Sequence, residues 1–326
     1  MLTQRLGQTG LSVSQLGFGC GSMGGLLVRG DYPTMRQVVA RAIDLGTTYF
    51  DTAPLYGNGQ SEVNLGAVLR ELQADVVVGT KVRLTTEEMD DIEGAVFRSV
   101  DASLRRLGRD SIDLLQLHNR FGPDTVPERR TLDLPDLAIV AGTFQALQRQ
   151  GKIRAWGLTG LGTTEAIQAA IAGRAFQSIQ VPYNLLNPSA GMAVPDGFPF
   201  QNYGQAIDRA GQQGMGVIAI RILAGGALAG TPERHPIAAR TVDPIASSAD
   251  YQADVARAQR FGFLMDEGIV ENLVEAAIRF VISQPHVSTA LLGISSGEQL
   301  EAAVRYVERG RLPADALARI GEMQTA

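Results

Sequence analysis

Cysteine is almost missing from this chain of 326 residues. Its one thiol, Cys20, excludes an intrachain disulfide and is too little for a thiolate zinc site. Histidine is nearly as scarce: His118, His235 and His286 show neither HxH nor HExxH spacing, so no metal site is expected. Positive charge of one block is lacking too. Lys and Arg number 29 against 34 Asp and Glu, a net charge of −5, and no basic cluster offers the footprint of a nucleic-acid binder. Charged residues are only 19% of the chain against 45% apolar, which excludes a disordered, tail-rich protein. Long apolar runs are also wanting: Met215 to Gly230 is broken by Arg221 and falls short of the ~18 residues of a membrane span. The opening MLTQRLGQTG has neither the basic start nor the apolar run of a secretion signal. The expectation is a cytoplasmic protein that engages neither membrane nor nucleic acid.

What is plentiful is glycine. The chain holds 37, about 11% where ~7% is usual, and the absence of a G-X-Y period leaves position to explain them. Gly46, Gly108, Gly151, Gly173, Gly214 and Gly310 each follow an amphipathic helical pattern, where a left-handed C′ residue is wanted. Strand-like apolar runs precede those helices at Leu16–Gly19, Thr48–Asp51, Val76–Lys81, Ile112–His118, Ile153–Thr159, Ser178–Val181, Gly216–Arg221 and Thr289–Gly293. In front of them TQRL and LSVS, joined by Gly7-Gln8-Thr9-Gly10, read as a β-hairpin. Long loops fall after the fourth strand (Asn119 to Pro135) and the seventh (Ala224 to Met265). Eight strand-plus-helix units without a linker predict one α/β domain over 1–326, a (β/α)8 TIM barrel with an N-terminal hairpin. A doubly wound sheet is the alternative, and the strand count favours the barrel.

Two glycine motifs invite other readings. Gly19-Cys-Gly21-Ser-Met-Gly24 matches G-x-G-x-x-G, but the dinucleotide fingerprint needs a helix opening at once on the glycines. Pro33 delays that helix to about Thr34, so a bare first loop that lets a ligand reach the backbone is preferred. Gly293-Ile-Ser295-Ser-Gly297 matches the nucleophile elbow G-x-S-x-G, yet no histidine follows His286 to complete a triad in hydrolase order. An anion site at the start of the eighth helix suits that segment better.

The chemistry lies at strand ends. Asp51, Lys81 and His118 close three consecutive strands, and a barrel turns all such ends to one face. A salt-bridged rim would explain the three charges alone. Tyr56, five residues beyond Asp51 in the loop APLYGNGQSE, points instead to proton donation. A tyrosine with pKa near 10 is a poor acid unless a cation stabilises its phenolate. Lys81 can supply that charge, Asp51 can hold the ammonium, and His118 can orient a carbonyl oxygen or pass a proton. No side chain donates hydride, so a cofactor is required.

At these residues the sequence resembles the aldo-keto reductase family, from about Leu6 to Val307. The likeness is densest in DLGTTYFDTAPLYGNGQSE, the strand ending in Lys81, DLLQLHN, GKIRAWG and SIQVPYN. The resemblance implies a (β/α)8 barrel that interconverts carbonyls and alcohols without metal, using NADP(H) by preference and NAD(H) as the second option. It places the family's tetrad on Asp51, Tyr56, Lys81 and His118, with Tyr56 as acid/base. It further implies cofactor contacts at Gly19, Cys20, Gly21, Asp51, Thr159, Gly160, Gln180, Tyr183, Arg221, Leu223, Gly293, Ser295 and Gln299. Among these, Gln180 matches the residue that binds the nicotinamide carboxamide and Tyr183 the aromatic that stacks on the ring.

The chain departs from the family pattern in three places. Thr159-Gly160 replace a usual Ser-Asn, and Arg221-Ile222-Leu223 replace Ser-Pro-Leu. Arg221 is read either as a pyrophosphate partner or as a rim salt bridge. Ala302-Ala303 replace a Glu-Asn that contacts adenine, without nearby cations for a 2′-phosphate, which weakens the preference for NADP over NAD. The loops lack an aromatic cage, which leans towards a polar substrate such as a sugar or short aldehyde. A non-catalytic cofactor-binding regulatory or partner subunit on the same barrel is the alternative function.

Overall fold

The computed structural model describes residues 1–122 and 131–324. Eight strands form a closed barrel with every neighbouring pair parallel: β1 (Leu16–Gly19), β2 (Tyr49–Asp51), β3 (Val77–Val82), β4 (Ile112–Leu117), β5 (Ile153–Thr159), β6 (Ser178–Pro182), β7 (Gly216–Ile220) and β8 (Val287–Gly293). They lie in chain order, and β8 closes on β1 through Ala290–Leu16 to Gly293–Gly19. Strands buried on both faces read as near-continuous apolar runs; all six residues of β4, IDLLQL, are buried. The outer layer is α1 (Tyr32–Asp44), α2 (Gln60–Glu71), α3 (Ile92–Leu107), α4 (Leu134–Arg149), α5 (Thr164–Ala172), α6 (Ala206–Gln212), α7 (Leu273–Ser283) and α8 (Gly297–Glu308), followed by α9 (Ala314–Glu322). No helix among the described residues is long and apolar enough to cross a membrane.

The antiparallel hairpin Thr3–Arg5 with Ser12–Ser14 closes the barrel from below. Its Leu6, Leu11 and Val13 pack with Tyr49, Leu114, Ala155 and Ile218 in the interior. The Gln4 amide donates to the carbonyls of Val287 (2.9 Å) and Ser288 (2.6 Å). Gly7 fixes the fit: its φ is +51°, and a Cβ there would lie 2.2 Å from the backbone nitrogen of Gly216. Gly7→Ala is therefore expected to destabilise the fold by roughly 1–3 kcal/mol through combined φ strain and overpacking. Its chemical denaturation midpoint reports this directly.

Local differences from the expected elements have simple causes. A one-turn helix, Leu26–Arg29, precedes α1, and α1 opens at Tyr32 because the Asp31 carboxylate accepts from the Thr34 amide (2.9 Å). Five of the six helix-stopping glycines have positive φ, but Gly173 does not (φ −66°); the left-handed turn falls one residue later, on Arg174 (φ +55°). The loop after β7 is partly helical, with a turn over Ala224–Ala229 and helices Tyr251–Ala258 and Phe263–Asp266. In the loop after β4, Arg120–Phe121 pairs with Thr131–Leu132; its residues 123–130 lie outside the described residues.

Candidate active site

Two-residue periodicity builds the site. In β2, Phe50 turns outward to stack on Phe18 (5.3 Å between centroids), so Tyr49 and Asp51 both face the barrel interior. One carboxylate oxygen of Asp51, Oδ1, meets Lys81 Nζ from β3, with both side chains 1% exposed. Lys81 Nζ also donates to the Thr52 carbonyl (2.8 Å). The other oxygen, Oδ2, accepts from the Tyr49 hydroxyl (2.9 Å) and from Gln180 Nε2 of β6 (2.6 Å).

Tyr56 stands above this pair. Lys81 Nζ lies 4.8 Å from the centre of its ring, and the His118 ring meets it edge-on at 6.2 Å. The loop that carries Tyr56 is tied down by Ser61, whose amide donates to the Tyr56 carbonyl (3.2 Å) and whose hydroxyl donates to the Cys20 carbonyl (2.9 Å). Gly21 leaves room for the ring: a Cβ there would be 3.1 Å from Tyr56 Cε2. The three residues expected at strand ends and the loop residue Tyr56 therefore converge on one face.

Burial and charge set their protonation. Burial pushes the Tyr56 phenol up and the Lys81 cation pulls it down; the balance lies above the ordinary tyrosine value. Burial alone would pull Lys81 down, but the charge of Asp51 and then Tyr56 hold it above its usual value. His118 is pushed down to about 3 by removal from water and by the charges of Lys81 and Arg83, so it is neutral at ordinary pH. Its Nδ1 and the Thr159 hydroxyl are buried without a partner. Cys20 is pushed far up by burial and by Asp51, which makes it an inert thiol; its backbone amide donates to the Asp51 carbonyl (2.9 Å).

A cavity of about 340 Å³ lies at the ends of β7 and β8, and none of the four residues is in its lining. Arg221, Leu223, Gly293, Ser295 and Gln299 line it, together with Gly24, Arg234, His235, Tyr251 and Tyr306. Arg221 is half-buried at φ +55°, and its Nη1 donates to the Asp243 carbonyl (3.2 Å). No carboxylate among the described residues forms an ion pair with it, so the structure does not show a rim salt bridge there. The loop after β7 crosses the cavity and is fastened to the loop after β1: Arg29 donates to the carbonyls of Ile237 (2.7 Å) and Ser22 (2.6 Å), and the Ala239 amide donates to the Met23 carbonyl (3.2 Å).

Glycines of the two motifs let the loops after β1 and β8 approach closely. A Cβ on Gly24 would lie 2.4 Å from the Ile294 nitrogen, and one on Gly19 would lie 3.0 Å from the Leu292 carbonyl oxygen. The Ser295 hydroxyl donates to the Gly24 carbonyl (2.6 Å), its amide to Gln299 Oε1 (3.0 Å), while Ser296 caps α8. At the end of β5, the Gly160 amide donates to the Gln180 carbonyl (2.7 Å) and holds Thr159 beside β6.

Tyr183 is not brought to the site. Three residues after inward-facing Gln180, it falls on the opposite face of the chain, buried and stacked on Phe280 of α7 at 4.9 Å. Sequence reasoning also missed groups that the structure gathers. Tyr49 was accessible through its i−2 spacing from Asp51, whereas Arg29 and Arg234 carry no local signal.

The closed parallel barrel thus carries a buried Lys–Asp pair, a tyrosine and a neutral histidine at its C-terminal mouth. The chain belongs to the Aldo/keto reductase family, whose sequence profile matches residues 15–325, and it is an NAD(P)-dependent oxidoreductase. It is 31% identical to L-galactose dehydrogenase of Arabidopsis thaliana over 93% of this chain and 86% of that protein. It is 29% identical to pyridoxal 4-dehydrogenase of Microbacterium luteolum, covering 93% and 92%. Its fold matches an aldo-keto reductase from Bacillus halodurans in its holo form with TM-score 0.71 and 25% identity, over 100% of this chain and 97% of that one.

Proposed function

We propose that this protein interconverts a small polar carbonyl compound and its alcohol, a short aldehyde or a sugar, with Tyr56 as acid/base and NADP(H) as the preferred cofactor. The observation that carries the reading is the convergence of Tyr56 on the buried Lys81–Asp51 pair, with His118 edge-on at 6.2 Å. The residues present fit a nicotinamide dinucleotide: a partnerless Thr159 hydroxyl, an Arg221 guanidinium without an ion-pair partner among the described residues, and a cleft lined by several glycines. Thr159 and Gly160 would face the carboxamide, with Gln180 beside them. Arg221 and Leu223 would hold the pyrophosphate, and Gly19, Gly21, Gly293, Ser295 and Gln299 the rest of the cleft. When bound, the cofactor supplies the hydride.

The protein's own residues do the remainder. Tyr56, protonated at neutral pH, gives its proton to the carbonyl oxygen in reduction and takes it back in oxidation. Lys81 steadies the phenolate, Asp51 keeps the ammonium in place, and neutral His118 offers a hydrogen bond to the oxygen rather than a charge. With Arg221 on the pyrophosphate that both cofactors share, Arg234 is the cation left in the cavity lining for a 2′-phosphate, against the single acid Glu233, and on that ground NADP(H) is favoured. The two relatives named above are a sugar dehydrogenase and an aldehyde dehydrogenase of pyridoxal by name, in keeping with a polar substrate.

The test is consumption of NADPH and NADH against a panel of short aldehydes and sugars, read by loss of nicotinamide absorbance. Turnover that is faster with NADPH supports the reading. Tight cofactor binding with no turnover on any panel member would replace it with a non-catalytic cofactor sensor. For Arg221→Ala, loss of charge-assisted hydrogen bonds worth about 1.5–3 kcal/mol is expected to weaken NADPH binding roughly ten- to a hundredfold. Fluorescence titration of bound NADPH measures it.

A further inference from the structure

We infer that Tyr49 is a positioning residue of the proton-transfer site: its hydroxyl fixes the Asp51 carboxylate from beneath so that the opposite oxygen meets Lys81. The inference rests on Tyr56 as the acid/base. Tyr49 is wholly buried in the barrel interior, among the apolar side chains Leu6, Leu11, Val13, Leu114 and Ile218. A phenylalanine would fill that slot without a polar atom to satisfy, yet the slot is cut for the hydroxyl. A Cβ on Gly79 would lie 2.7 Å from Tyr49 Oη, and one on Gly17 would lie 2.9 Å from its Cδ1. Gly79 is two residues before Lys81 on β3, so the strand that presents the ammonium also clears the space for the hydroxyl.

The carboxylate is thereby held on both sides. Oδ1 takes the cation, and Oδ2 takes two neutral donors, Tyr49 at 2.9 Å and Gln180 at 2.6 Å. Burial and the charge of Asp51 push the Tyr49 phenol well above its ordinary value, so it stays a donor throughout the working pH range. Tyr56 feels Lys81, Asp51, Cys20 and Arg221, and Asp51 raises its pKa. Removing the Tyr49 hydroxyl leaves more of the Asp51 charge unneutralised, and the Tyr56 pKa rises further. Reduction needs the protonated phenol, so its alkaline limb moves to higher pH.

The experiment compares wild type, Tyr49→Phe and Tyr56→Phe in both kcat and the pH profile of kcat/KM for aldehyde reduction, with NADPH affinity and thermal melting alongside. Tyr49→Phe is expected to keep NADPH affinity within about twofold, to lower kcat roughly tenfold for one lost charge-assisted hydrogen bond, and to shift the alkaline limb upward. Gly79→Ala, which crowds the hydroxyl, is expected to shift the limb the same way, and the double variant to add little. An unmoved limb overturns the inference, whether kcat is unchanged or falls together with NADPH affinity and melting temperature. Undiminished turnover in Tyr56→Phe would remove the acid/base reading itself, a result separate from the Tyr49 comparison.

Discussion

Tyr56→Phe is expected to reduce aldehydes some 10²–10⁴-fold more slowly than the parent, the usual worth of a positioned general acid, while binding NADPH with unchanged affinity. The substitution removes one oxygen and leaves the ring in the space beside Gly21 and against His118. Packing is preserved, so the deficit belongs in kcat. His118 cannot substitute, because an imidazole pushed down to about 3 is neutral at neutral pH, and the N–H it keeps can donate a hydrogen bond but is too weak an acid to give up its proton. Single-turnover rates with NADPH and an aldehyde, set beside a fluorescence titration, separate chemistry from binding. A variant that keeps its turnover would dispose of Tyr56 as the acid.

Lys81→Met is expected to be the most damaging single change, because it strikes stability and chemistry together. It strands the Asp51 carboxylate at 1% exposure with only neutral donors, and breaking a buried pair in this way costs about 3–5 kcal/mol. The chemistry is lost unequally in the two directions. Lys81 pulls the Tyr56 phenol down, so without it the phenolate becomes scarcer still. Alcohol oxidation, which needs the phenolate, is expected to fall further than carbonyl reduction, which needs the phenol. Initial rates in both directions, with urea unfolding of the same preparations, test the asymmetry; equal losses would deny Lys81 its hold on Tyr56.

The barrel and the tetrad were legible because they rest on local pattern. Gly19, Thr159 and Gly293 end β1, β5 and β8 where the apolar runs stop, and Asp51, Lys81 and His118 are marked by being ionisable at the ends of such runs. Tyr183 was misplaced because a family motif carries no side-chain direction; counting from Gln180 would have turned it outward. Tyr49 was overlooked since an aromatic in a strand normally reads as core. The strap over the cavity was out of reach, for Arg29 meets the Ile237 carbonyl across 208 positions of chain. Gly173 shows the same limit on a smaller scale: the left-handed turn fell on Arg174, one residue beyond the glycine.

The hairpin beneath the barrel plugs its lower end with apolar side chains. Leu6, Leu11 and Val13 stop the lower end, and Tyr49 with Leu114, Ala155 and Ile218 packs in the bore above them. If Tyr56 is the acid, as proposed, the proton it spends in reduction is expected to return from the mouth, past His118 and the open loop that carries Leu55, which is 48% exposed. Substrate and proton would then share an entrance. A bulky substrate seated there also governs how quickly its own reduction is resupplied, so slow reprotonation is expected to appear as a solvent isotope effect that grows with substrate size.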